Sequence, residues 1–369
     1  MSNISIISYN INCNFTNYGS ALQSWALSQV IARLGYKPVL IDYCPDILRD
    51  KNPLNPMKNM WDKDTESRKM CELSLPAIKE NYMKFNRFYT EQFNRSKCKY
   101  YSENFNQCVE DEALDGFVCG SDTIFCVDEF GIDDGYYANY EVMKQHSVAF
   151  AASFGDSHFT DETYKILSDR LKNFKAIGIR ENQMLDYVRS HTTVPCERVL
   201  DPTLLLNASD YESITCGDVP EKPYLLYYAR RYNPEMEAYA EKLANERGLQ
   251  LVEISLRAVN ADKGHIMRYD AGVEEFLSLT RHASYIVTNS YHSMIFAIHF
   301  KRPFVVFTRE QCNTKIDELM KLLGVENRKM TKRSDMVEDL VEWENVESII
   351  ASKKQISFAF LNKSLDKLA

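Results

Sequence analysis

The sequence has no CxxC pair among its ten cysteines, no HExxH, no GxGxxG or P-loop pattern and no GxSxG elbow. Each absence removes a chemistry that depends on that spacing: a zinc ribbon or dithiol centre, a zincin-type metal site, a nucleotide fingerprint, and a hydrolase serine. No stretch approaches the roughly 20 apolar residues that span a bilayer, and MSNISIISYNINCNF has neither the positive flank nor the apolar run of a signal peptide. Basic arms are lacking as well. Lys and Arg number 44 against 52 Asp and Glu, a net charge of -8 without a positive stripe, so no nucleic-acid partner is expected. Scattered free thiols suit a reducing compartment. The expectation is a cytoplasmic protein with at most peripheral contact at the inner face of the membrane.

What is present is enough apolar residue, 45% of 369, for more than one core, and two domains are expected. The chain opens as strand, helix, strand. Residues 4–8 are β-branched and apolar, Leu22, Trp25, Ala26 and Val30 recur at helical spacing within 20–34, Gly35 ends that helix, and VLIDY (39–43) follows. Residues 45–110 turn charged and aromatic, and the amphipathic run AIKENYMKFNRFYTEQF predicts a helical insertion over one side of the sheet. The sheet resumes with FVCGSD (117–122), SVAFAASFG (147–155), AIGIR (176–180) and RVLDPTLLL (198–206). A second unit follows a polar linker, 207–223, with strands YLLYYA (224–229), QLVEI (250–254), YIVTNS (285–290) and PFVVF (303–307). The fold class is therefore α/β, with two Rossmann-like units, 1–206 and 220–335, facing a cleft. A helical tail, 336–369, packs back on either one.

Candidate site residues cluster where strands give way to helices, since those corners face the crevice at the carboxyl ends of a parallel sheet. In TNSYHSMIF (288–296), His292 stands with Asn289, Ser290 and Ser293 at such a corner. A histidine there can move a proton, and helix-start amides attract anions. Ser290 acting only as a helix cap is an equally good reading of the local pattern. In NFTNYGSALQ, Asn17, Tyr18 and Gly19 form a second corner, where a glycine permits close approach and Asn17 could again be a cap. After the apolar run of GSDTIF come Ser121 and Asp122, the latter a base toward a sugar hydroxyl or a capping carboxylate. Arg180 and Arg230 at strand ends offer planar forks for carboxylate or phosphate. No metal site is expected, because Asp133-Asp134 is an isolated acidic pair. The other histidines lack polar company at a strand end; His299 in particular sits in an apolar helix and reads as structural.

Taken in order, NYGSALQSWALSQVIARLGYKPVLIDY, VCGSDTIF, VAFAASFG, IGIRE, VLDPTLLL, YIVTNSYHSMIFAIHFKRPFVVF and NTKIDELMKLLGV resemble the polysaccharide pyruvyl transferase family along most of the chain. The resemblance implies a GT-B-like fold and transfer of a pyruvyl group from phosphoenolpyruvate to two sugar hydroxyls, giving a cyclic ketal and phosphate. It implies no cofactor beyond that donor, and a glycan or lipid-linked sugar as acceptor, in surface polysaccharide biosynthesis. His292 and Asp122 become the expected catalytic pair, with Asn17, Tyr18, Gly19, Ser121, Ser153, Arg180, Arg230, Asn289, Ser290, Ser293 and Asn313 toward the substrates. The chain departs from the pattern at Ser290-Tyr291-His292, where some members carry arginine, leucine and histidine, and at Ser293, where they carry glycine. The donor's charge must then be met by another cation. A nucleotide-sugar glycosyltransferase and a non-catalytic glycan-binding protein are the alternative readings, and the oligomeric state stays open.

Overall fold

Apolar runs alternating with helices condense into two parallel sheets in the computed structural model, which describes residues 1–59, 64–308, 313–332 and 341–368. The first sheet holds β1 (Asn3–Ile7), β2 (Lys37–Tyr43), β3 (Arg95–Tyr100), β4 (Gly116–Cys119), β5 (Ser147–Ala152), β6 (Phe174–Ile179) and β7 (Cys196–Arg198) in the order β3-β2-β1-β4-β5-β6-β7. The second holds β8 (Tyr224–Tyr228), β9 (Gln250–Ile254), β10 (Ile266–Met267), β11 (Tyr285–Thr288), β12 (Phe304–Phe307) and β13 (Lys329–Met330) in the order β10-β9-β8-β11-β12-β13. Helices cover both faces, so β4, β5 and β11 are buried along their whole length, which explains their unbroken apolar character. Each sheet reverses its winding once, between β1 and β4 in the first and between β8 and β11 in the second. Such reversals splay the connecting loops apart and open a crevice at the carboxyl ends of the strands. All four strands flanking the two reversals lead into residues of the cleft.

Three elements refine the sequence expectation. The segment 45–110 is not purely helical: after the helices Thr65–Leu73 and Leu75–Gln92 it adds β3, which pairs with β2 at the sheet edge and points Lys97 and Lys99 to solvent. Exposed lysines on an edge strand oppose further pairing. The run RVLDPTLLL is strand only as far as Arg198. Pro202 has no N–H for a ladder, and the Asp201 side chain accepts from the Thr203 N–H at 2.9 Å, so the chain turns into a short 3-10 helix, Pro202–Leu204. The tail helix Trp343–Leu365 bridges the domains, packing on the helix Asn313–Leu323 of the second and on β5 and β6 of the first; its Ser357 hydroxyl accepts the Leu200 N–H at 2.9 Å. Residues 336–340 and 369 of the expected tail, and Cys312, lie outside the described residues. The nine described cysteines are all free.

The two cores merge at the domain seam. The helix Tyr18–Arg33 buries thirteen of its residues and packs against the helices Val273–His282 and Tyr291–His299 of the second domain. Tyr18 stacks on Phe276, with ring centroids 4.4 Å apart, and donates its hydroxyl to the Ala271 carbonyl at 2.7 Å. From the insertion, Lys84 meets Glu275 at 2.8 Å and Ser74 donates to the Leu256 carbonyl at 2.9 Å. A seam this apolar fixes the domains' relative positions more firmly than a polar hinge would.

Candidate active site

The four crevice strands deliver their residues to one cleft of about 760 Å³. Beyond β1 come Asn17 and Tyr18; beyond β4, Asp122; beyond β8, Arg230; beyond β11, Asn289, Ser290 and His292. Both capping readings hold. Asn17 accepts from the Gly19 N–H at 3.0 Å and Ser290 from the Ser293 N–H at 3.4 Å, so each corner starts a helix and places that helix's positive end at the cleft. Asn289 braces the neighbouring loop, accepting from the Arg230 N–H at 2.9 Å and donating to the Arg231 carbonyl at 2.8 Å.

His292 is held from two sides. A β-carbon on Gly19 would lie 2.0 Å from His292 Nδ1 and 2.5 Å from Cγ, so the imidazole packs directly on the first turn of the helix Tyr18–Arg33 and only glycine fits there. On its far side, Nε2 lies 3.4 Å from Asp201 Oδ2, an ion-pair contact when the ring is protonated. Nε2 is buried from solvent and makes no hydrogen bond, and the residue lines the cleft.

Asp201 organises more than the histidine. Its carboxylate pairs with Arg180, accepts from Thr203 N–H and Oγ1 at 2.9 and 2.6 Å, and has Ser121 Oγ at 3.5 Å. Burial alone would raise its pKa, but His292 and Arg180 outweigh burial and hold it far below the usual carboxylate range. Asp122 behaves likewise: Lys315, His292 and Arg180 overcome its burial and keep it below its ordinary value. It accepts from Ser20 Oγ and the Thr123 N–H, in a left-handed conformation with φ 71°. Lys315, on the helix Asn313–Leu323, is only 6% exposed and lines the cleft, its Nζ 5.6 Å from the centre of the Tyr291 ring.

Of the residues singled out in the sequence, Asn17, Tyr18, Asp122, Arg230, Asn289, Ser290 and His292 line the cleft. Gly19 lies beneath the imidazole. Arg180 stands behind Tyr291, 5.2 Å from its ring centre, in a smaller pocket bounded by Glu181 and Arg198, with its guanidinium turned to Asp201. Burial works against its charge, and Asp201 more than restores it. Ser121 donates to the Ala151 carbonyl at 3.1 Å and takes the Gln23 side-chain oxygen on its N–H at 3.0 Å. Ser153 donates to Glu181, whose pKa burial raises despite Arg180. The Ser293 hydroxyl is buried without a partner, and the Asn313 N–H is taken by Asp156 at 3.0 Å. Sequence reasoning passed over Asp201 and Lys315. The Asp-Pro pair inside VLDPTLLL marks a turn after a strand and could have drawn attention to Asp201, whereas nothing in NTKIDELMKLLGV distinguishes Lys315 from a surface lysine. Among the described residues no group of three or more His, Cys, Asp and Glu is placed to hold a metal ion, and no helix is long and apolar enough to cross a membrane.

Two doubly wound domains that share one cleft define the GT-B fold, and solved structures resemble the chain over nearly its whole length. A Listeria monocytogenes protein assigned as a UDP-N-acetylglucosamine 2-epimerase aligns with a TM-score of 0.54 at 11% identity, covering 99% of this chain and 91% of its own. The UDP-N-acetylglucosamine 2-epimerase of Rickettsia bellii gives 0.48 at 11% identity over 100% and 96%, and the ADP-heptose LPS heptosyltransferase II of E. coli gives 0.40 at 11% over 96% and 100%. At 11% identity the likeness to the Listeria protein is one of fold alone. No curated protein sequence matches significantly. The polysaccharide pyruvyl transferase model matches residues 17–311, and the chain belongs to that family, a family of transferases acting in polysaccharide biosynthesis.

Proposed function

We propose that the chain transfers the pyruvyl group of phosphoenolpyruvate to two hydroxyls of a surface-polysaccharide sugar, forming a cyclic ketal and releasing phosphate. The observation that carries this reading is the imidazole of His292, lining the cleft with its Nδ1 edge packed on Gly19 and Nε2 against Asp201, in a cleft that Lys315 also lines. Protonation of the donor's methylene carbon needs a positioned acid, and His292 supplies that proton. The adjacent carbon then becomes electrophilic, and a sugar hydroxyl bonds to it while Asp122, kept ionised by its neighbours, accepts the hydroxyl proton. A second hydroxyl replaces the phosphate at the same carbon; its proton leaves with the phosphate. Lys315, Arg230 and the two helix N-termini offset the donor's carboxylate and phosphate charge, with Arg180 acting from behind through Asp201.

Phosphate release from phosphoenolpyruvate, measured with and without a panel of soluble oligosaccharides, tests the reading. Release is expected only with an acceptor and falls roughly 10²- to 10⁴-fold in His292→Ala. Acceptor-independent release, or full turnover in the variant, refutes the assignment. Consumption of a nucleotide sugar in its place would favour glycosyl transfer, which the fold also suits.

A further inference from the structure

A donor of about ten non-hydrogen atoms leaves most of a 760 Å³ cleft unfilled, since pockets of roughly 300–1,000 Å³ hold drug-sized ligands. Part of the cleft lies between the loops after β8 and β9 and the insertion helix Thr65–Leu73. Its walls alternate apolar and polar surface: Tyr232, Tyr269, Leu256 and Met70 with Arg257 and Glu66. Tyr232 is 50% exposed, and the Arg257 guanidinium covers one face of its ring at 3.8 Å from the centre. The opposite face is therefore the accessible one. Arg257 is itself fixed by Glu66 of the insertion at 2.8 Å and Glu237 at 3.6 Å. The aromatic platform is thus immobilised from behind, and the guanidinium charge beside it is already balanced.

We propose that this outer end is the acceptor subsite and takes an uncharged pyranose ring, stacked on the free face of Tyr232 with its hydroxyls toward Glu66 and the neighbouring polar groups of the insertion. The inference rests on the pyruvyl-transfer reading for its role, but not for its chemistry. An apolar ring face fits an aromatic platform, and equatorial hydroxyls fit the several acceptor positions of a carboxylate. The paired arginine argues against a polyanionic ligand.

Saturation-transfer NMR on the full chain tests this with the methyl pyranosides of glucose, galactose, mannose and N-acetylglucosamine, in the presence of phosphoenolpyruvate. At least one pyranoside is expected to receive saturation on its ring C–H protons. The signal should drop at least about fivefold in Tyr232→Ala and persist in Tyr232→Trp, which keeps a platform. Absence of any pyranoside signal, an unchanged signal in Tyr232→Ala, or displacement of the sugar by UDP overturns the inference. Thermal stabilisation by phosphoenolpyruvate, followed in the same proteins, separates the two readings. Donor stabilisation without sugar contact sinks only the subsite; sugar contact without donor stabilisation sinks only the transfer.

Discussion

The two domains bring opposite charge to the large cleft and the small pocket beside Tyr291. The first contributes carboxylates such as Asp122, Asp201 and Glu181, and the second contributes His292, Lys315 and Arg230. Arg180 departs from this division, and its own domain neutralises it, through Asp201. Neither half holds the reactive arrangement by itself. His292 is carried by the second domain, yet both its supports, Gly19 and Asp201, belong to the first.

This division can be broken most severely at Asp201. Asp201→Asn leaves Arg180 buried beside a neutral group, and loss of one partner of a buried pair costs roughly 3–5 kcal/mol. Denaturant unfolding should register a drop of that order, and transfer activity should fall with it; unchanged unfolding would mean the pair is not the anchor described here. Gly19→Ala attacks the other support. The new methyl would displace the imidazole, and a shift of about 1 Å in a reacting group can lower turnover by roughly 10²-fold. Phosphate-release assays should show that loss in kcat while circular dichroism stays native; near-normal turnover would show that the ring does not need its place over the helix start.

Lys315→Met sharpens the contrast instead of abolishing it, because the domain interface is retained and only a cation facing the cleft is lost. An ionic hydrogen bond to the donor is worth about 1.5–3 kcal/mol, so KM for phosphoenolpyruvate should rise at least about tenfold with the acceptor KM unchanged. The smallest effect concerns His299, whose Nε2 donates to the Thr203 carbonyl across the seam at 2.7 Å. Burial lowers its pKa to about 4, against the backbone bond that favours the charged form. In the unfolded chain the ring takes up its proton near pH 6.5, in the folded chain only near 4. The unfolded state thus binds more protons between these values, and stability falls as pH drops through that window. Melting curves of the parent and His299→Gln from pH 7 to 4 should diverge accordingly; parallel curves would contradict it.

Periodicity made the fold legible because a parallel sheet buries its strands on both faces, and such runs as SVAFAA stand out in any sequence. It failed where pairing is not driven by burial, as at the exposed edge strand RSKCKY and the two-residue strands β10 and β13. Corner residues such as His292 and Asp122 were legible because strand ends announce themselves. Asp201 and Lys315 were not, since each gains its position from a turn or helix docked by a distant part of the chain. Arg180 shows the converse: a strand-end arginine was visible, but its orientation away from the large cleft depends on Asp201, 21 residues later.

The returning tail helix has a topological consequence. Leu368 packs where a β-carbon on Gly116 would sit, and Gly116 is the register partner of Ile4 on the neighbouring strand. The path therefore comes back beside β1 and β4, and the second domain is joined to the first by two crossings of the chain, one on each side of it. A single cut in the polar connection 207–223 should therefore keep both sheets, with the second domain still held through the tail helix.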